Sequence, residues 1–146
     1  MATYLSTDLT GSANATSVPV GYKPNATVVG ARAKLFRATF TFASQATTDT
    51  LQLFTLPTGS TFVKGWVYVD TSTSTATLAF GNSGSTGKYR AAAAITTTNS
   101  PQDFGITAAS AASPLAAEET VIATIGTAAL PSSGTMTVFF LVSMPN

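Results

Sequence analysis

Leu35-Phe36-Arg37-Ala38-Thr39-Phe40-Thr41-Phe42 decides the fold class. Phe36, Ala38, Phe40 and Phe42 fall on one face of an extended chain and Leu35, Arg37, Thr39 and Thr41 on the other, because side chains alternate sides along a strand. The spacing predicts a strand within Thr27 to Ala43, with three phenylalanines turned to a core. Burying such rings stabilises by roughly 1.5–3 kcal/mol each. Arg37 is left facing water or a partner.

Downstream the same reading repeats. Thr50-Leu51-Gln52-Leu53-Phe54-Thr55-Leu56 is a second strand, stopped by Pro57-Thr58-Gly59-Ser60. In Phe62 to Val69 one face holds Phe62, Lys64, Trp66 and Tyr68 and the other Val63, Val67 and Val69. The valine face is the expected core face, and the aromatic face is expected to be half exposed, with Trp66 tucked under a loop or under the N-terminal segment. Thr75 to Phe80 reads as a fourth strand and Gly81 to Gly87 as a hairpin loop. Lys88 to Ile95 is ambiguous, since Ala91 to Ala94 could hold a helical turn. Phe104 to Thr107 is a short strand, Ala108 to Leu115 a loop, and Glu119 to Gly126 and Gly134 to Ser143 the closing strands, with a turn over Leu130 to Gly134 between them. Seven or eight short strands with turns between them predict an all-β fold: an antiparallel two-sheet β-sandwich, jelly-roll-like. Residues 1–26, with Gly11, Pro19, Gly21 and Pro24, show no sustained period and read as an extended N-terminal arm, leaving 27–146 as the sandwich domain.

Composition agrees with this and narrows the chemistry. Of 146 residues, 27 are Thr, 24 Ala and 15 Ser, yet the chain is 45% hydrophobic with a net charge of +1, which is not the signature of disorder. It has no cysteine and no histidine. That removes disulfides, thiol nucleophiles, the commonest zinc ligand and every Ser-His-Asp arrangement. No apolar run approaches the roughly 18 residues of a membrane span. The first eight residues have neither a basic nor an apolar signal region, so synthesis in a cytosol, and retention there until something releases the product, are expected. Only 9% of residues are charged, far fewer than the roughly one quarter usual in a free-standing domain, which suits a protein built to assemble. The charges are also split: Lys23, Arg32, Lys34 and Arg37 face only Asp8 in the first 40 residues, whereas acids outnumber bases beyond them.

The candidate motifs fail on their spacing. Gly81-Asn82-Ser83-Gly84-Ser85-Thr86-Gly87-Lys88-Tyr89 ends in Gly-Lys, but no glycine precedes Gly87 by the five positions a phosphate loop requires, and Tyr89 stands where Ser or Thr would hold magnesium. Glu118 and Glu119 point to opposite faces of a strand and read as a solvated strand end. Asn14-Ala15-Thr16 and Asn25-Ala26-Thr27 match a glycosylation pattern by coincidence in so threonine-rich a chain. Four basic residues near the N-terminus fall short of a nucleic-acid footprint and suit an acidic protein surface better. Lys34 and Arg37, an odd number of positions apart, cannot share one face. No enzyme activity, cofactor or metal is called for by these residues.

Leu56-Pro57-Thr58-Gly59 feeding the strand Phe62 to Val69, followed by Thr77-Leu78-Ala79-Phe80-Gly81-Asn82-Ser83-Gly84, resembles the capsid decoration, or cement, proteins of tailed bacteriophages and related head-fibre modules. The similarity spans about residues 50 to 95. It implies a β-sandwich that binds the outside of a phage head as a homodimer or homotrimer and stabilises contacts between major capsid subunits, with no nucleic acid or membrane as partner. Together with the arm, it makes Tyr4, Leu5, Leu9, Tyr22, Lys23, Arg32 and Arg37 the expected contact residues. The alternative is a head- or tail-fibre module that binds a receptor or glycan through Trp66, Tyr68 and Tyr89.

Overall fold

The computed structural model describes residues 32–111 and 113–144. The arm expected at 1–26, with Tyr4, Leu5, Leu9, Tyr22 and Lys23, lies outside the described residues. Among the described residues there are eight strands: β1 (Arg32–Thr41), β2 (Thr50–Leu56), β3 (Thr61–Val69), β4 (Thr77–Asn82), β5 (Ser85–Ala94), β6 (Gln102–Phe104), β7 (Glu119–Gly126) and β8 (Thr135–Met144). They form two four-stranded sheets, ordered β1-β8-β3-β6 and β2-β7-β4-β5.

The pairing is nested. β1 runs antiparallel to β8, β2 to β7, β3 to β6 and β4 to β5, as in one long two-stranded ribbon folded over on itself. The further pairs β3–β8 and β4–β7 then close the ribbon into two sheets. This is the jelly-roll form of the β-sandwich, in which only the outermost strands keep a free edge.

Period two places the core between the sheets. On β8, Met136, Val138, Phe140 and Val142 are fully buried and alternate with partly exposed neighbours. Val121, Ala123 and Ile125 of β7 and Leu78 and Phe80 of β4 face them from the other sheet. The rings of Phe54, Phe62, Tyr89 and Phe104 all lie within 4.8–5.5 Å of the Phe140 ring.

Several local expectations change. On β1 only Phe42, just past the strand, is fully buried, and Phe36 and Phe40 are half-buried. Among the described residues β1 is an edge strand with a neighbour on one side alone, so these cover its inward rings less completely. β3 departs from simple alternation: Phe62 pairs with Val142 and Lys64 with Leu141, so Val63 is the extra residue of a β-bulge. The bulge turns Phe62 into the core beside Val67 and Val69, and leaves Val63 42% exposed. The alanine run is strand, not helical turn: Ala91 to Ala94 complete β5, where Ala93 and Ala94 pair with Leu78 and Thr77. The expected glycine-rich loop shrinks to a two-residue turn at Ser83-Gly84. The Asn82 side-chain oxygen accepts hydrogen bonds there from the Gly84 and Ser85 amides, at 3.0 and 2.7 Å.

Gly65 shows how closely the core is filled. A β-carbon at this position would come within 2.3 Å of the Phe104 ring, which stands over the glycine from β6. Gly65→Ala is therefore expected to lower unfolding stability by about 1–3 kcal/mol through overpacking, read by urea denaturation. A neutral result would show that β6 is free to move away.

Candidate interaction surface

The two sheets present unlike outer faces. Outward positions of the β2-β7-β4-β5 sheet carry Thr50, Gln52, Thr77, Ala79, Ile122 and Thr124, a small and threonine-rich set. The β1-β8-β3-β6 sheet is the aromatic one. Its register aligns Arg37, Phe139, Trp66 and Asp103 in one row, with Leu35, Leu141 and Lys64 on one side of it and Thr39, Thr137 and Tyr68 on the other. Leu35 is 56% exposed. The Arg37 guanidinium lies 5.9 Å from the centre of the Phe139 ring, and the Lys64 ammonium 5.4 Å from that of Trp66. Lys64 also pairs with Asp103 at 2.6 Å, and the Tyr68 hydroxyl donates to Asn99 Oδ1 at 2.8 Å. Arg37, Phe139, Thr137, Tyr68 and Pro101 line a shallow groove of about 410 Å³. Partly exposed Trp, Tyr, Phe and Arg on one face are the residue types enriched where proteins bind one another.

Of the contact residues expected within the described part, Arg37 belongs to this face. Arg32 does not. It is five positions away on a regular strand and so has the opposite parity, pairing with Met144 at the far end of the sheet. Lys34 shares that parity and lies 5.1 Å over the Phe36 ring, in keeping with the expected separation of Lys34 from Arg37. Tyr89 is 1% exposed and sits in the core, so it is no part of an aromatic platform.

A second cluster is polar and centres on Glu119. Glu119 is not a solvated strand end. Its carboxylate accepts hydrogen bonds from Lys88 Nζ at 2.5 Å, from Asn82 Nδ2 at 2.8 Å and from the Tyr89 hydroxyl. Burial works to raise the Glu119 carboxyl, but the hydrogen bonds from Lys88, Tyr89 and Asn82 and the Lys88 charge outweigh it and hold the group below its ordinary value. Burial, and then the Glu119 carboxylate, push the Tyr89 hydroxyl well above the usual phenol range. Three strands meet at this cluster, and each residue in it has a partner, so its geometry is that of a structural tie. Among the described residues there is no group of three or more carboxylates or other candidate metal ligands.

No protein-family model matches the chain, and no curated protein does. Solved structures do. Over 79% of this chain and 86% of the other, it superposes on a chain of the cyanophage Pam1 capsid asymmetric unit with a TM-score of 0.64 and 22% identity. Its fold is shared with chains of phage capsid structures. A chain of the capsid of Ralstonia phage GP4 matches over the same shares, with a TM-score of 0.63 and 16% identity. One from the acidic stable capsid structure of Helicobacter pylori bacteriophage KHP30 covers 78% of this chain and 89% of its own, with a TM-score of 0.55 and 17% identity. At these identities the likeness lies in the sandwich.

Proposed function

We propose that this chain is a structural virion protein that binds the outer surface of a phage capsid and stabilises contacts between neighbouring major capsid subunits. The observation that carries the reading is the shared fold: three capsid structures contain a chain that superposes on this sandwich over at least 78% of its length. The aromatic face is in keeping with the self-association that belongs to this reading, since its residue types are those enriched where proteins bind one another. In this reading the protein acts without catalysis or cofactor. It is made in the host cytoplasm, associates with the major capsid protein and with itself, and has neither nucleic acid nor membrane as a partner.

Residues 1–30 extend over an adjacent subunit, where Tyr4, Leu5 and Leu9 act as apolar plugs and Tyr22 and Lys23 add contacts, while Arg32 and Arg37 make theirs from β1 of the sandwich. Each contact is small. Repetition over many copies on one particle multiplies its effect, because a bound neighbour raises the effective concentration of the next contact. A variant lacking residues 1–26 is expected to fold and yet to be lost from heads on co-sedimentation. Full occupancy by that variant would overturn the role given to the arm. A head- or tail-fibre module that binds a receptor or glycan is the second reading, and it rests on Trp66 and Tyr68, which stand side by side at the surface without Tyr89.

A further inference from the structure

We infer that the β1-β8-β3-β6 face joins two copies of this chain about a two-fold axis running nearly along its strands, so that Arg37 of each copy meets Asp103 of the other. The members of the row Arg37-Phe139-Trp66-Asp103 lie on β1, β8, β3 and β6 in that order across the sheet. Neighbouring strands are about 4.8 Å apart, so Arg37 and Asp103 are separated by about 14 Å in one molecule and cannot pair there.

Two identical faces can close on each other about an axis in the plane between them. An axis across the strands, at the level of this row, would place Arg37 on Arg37 and Asp103 on Asp103. Both contacts are repulsive. An axis along the strands exchanges the two edges of the sheet: Arg37 then faces Asp103 of the second copy, and Phe139 faces its Trp66. The row is self-complementary in this arrangement and in no other two-fold stacking of the face. The groove beside Phe139 receives the second copy's Trp66, flanked by Arg37, Thr137 and Tyr68. Lys64, which holds Asp103 in the single chain, lies opposite Leu141 and can lay its alkyl stem along it. Stacked sheets of this kind pack with strands within about 30° of each other, which a slight tilt of the axis provides.

A four-stranded face is small for an interface, near the lower end of the range for specific complexes, so the dimer is expected to be weak and concentration-dependent. The pairing gives a geometry to the self-association in the virion reading and rests on that reading for its role. It is measured on the full-length chain in solution without capsids, so its failure and the failure of capsid binding are separate results.

Sedimentation equilibrium is expected to give a mass rising with concentration from 14.9 kDa towards twice that value. Arg37→Asp and Asp103→Arg are each expected to weaken the dimer by at least about 30-fold, because each sets like charges together twice. An equal mixture of the two variants should restore it: one copy then carries two acids and the other two bases, and both cross-contacts become attractive. Thermal melting checks that each variant is folded. A full-length chain that stays monomeric at about 100 µM, as it would if its own residues 1–31 covered Trp66, overturns the inference. So does a trimer, and so does a mixture that remains as weak as its components.

Discussion

Phe140→Ala is expected to lower the unfolding free energy by about 3–5 kcal/mol, the range for removing a phenylalanine from a packed core. Phe140 is fully buried on β8, and β8 pairs with both β1 and β3. Its ring touches four others: Phe62 at 4.8 Å, Phe54 and Tyr89 at 5.0 Å and Phe104 at 5.5 Å between centroids. Those four come from β2, β3, β5 and β6, so a cavity here loosens both sheets together. Surrounding rings are rigid and fill such a space poorly, which puts the loss at the upper part of the range. A domain of this kind has about 5–15 kcal/mol in all, so much of the margin is at stake. Urea denaturation reads the change as a lower midpoint at an unchanged slope. Leu35→Ala on the exposed face is the control, with a change within about 0.5 kcal/mol. A loss below about 1 kcal/mol in Phe140→Ala would contradict the ring cluster as the centre of the fold.

Glu119→Ala is expected to cost about 3 kcal/mol, from a different cause. The carboxylate is the common acceptor for Lys88, Tyr89 and Asn82, and the Lys88 and Glu119 side chains are only 17% and 13% exposed. Without it an ammonium group loses its counter-charge in a poorly solvated place and the Tyr89 hydroxyl loses its acceptor, which is costlier than the gain from forming such a pair. Glu119→Gln keeps an acceptor and loses the charge, so its effect is smaller. The pH dependence has a definite sign. A carboxyl held below its ordinary value of 4.5 contributes fully above that pH and loses its contribution as pH falls from 4.5 through the folded value. The wild-type chain should therefore lose stability in that window more steeply than Glu119→Gln. Equal acid slopes in the two proteins would contradict the tie.

The fold was largely legible in the sequence because its main signal is local. Alternation on β1 and turn residues such as Pro57 to Ser60 set the strands, and on β1 the inward face, without any knowledge of neighbours. Where the reading failed, the deciding contact was distant. The bulge at Val63 is set by the register of β3 against β8, and no feature of Phe62 to Val69 alone shows that alternation breaks there. Ala91 to Ala94 have helical propensity, but pairing with β4 overrides it. Glu119 and Tyr89 are 30 positions apart, so the tie between them could not be read from spacing. The Arg37-Phe139-Trp66-Asp103 row was half legible: the aromatic side of β3 was expected to be partly exposed, but its alignment with Phe139 and Asp103 exists only once the sheet is assembled. Arg37 was expected as a contact residue and stands on the aromatic face, whereas Arg32 does not.

Whether this sandwich coats a phage head, as proposed, is decided by an image reconstruction of the assembled particle. The expected result is density fitted by the two four-stranded sheets, repeated with the symmetry of the shell on its outer surface and touching more than one major capsid subunit. Density for this chain confined to the tail or its fibres, or none in the particle at all, would contradict it.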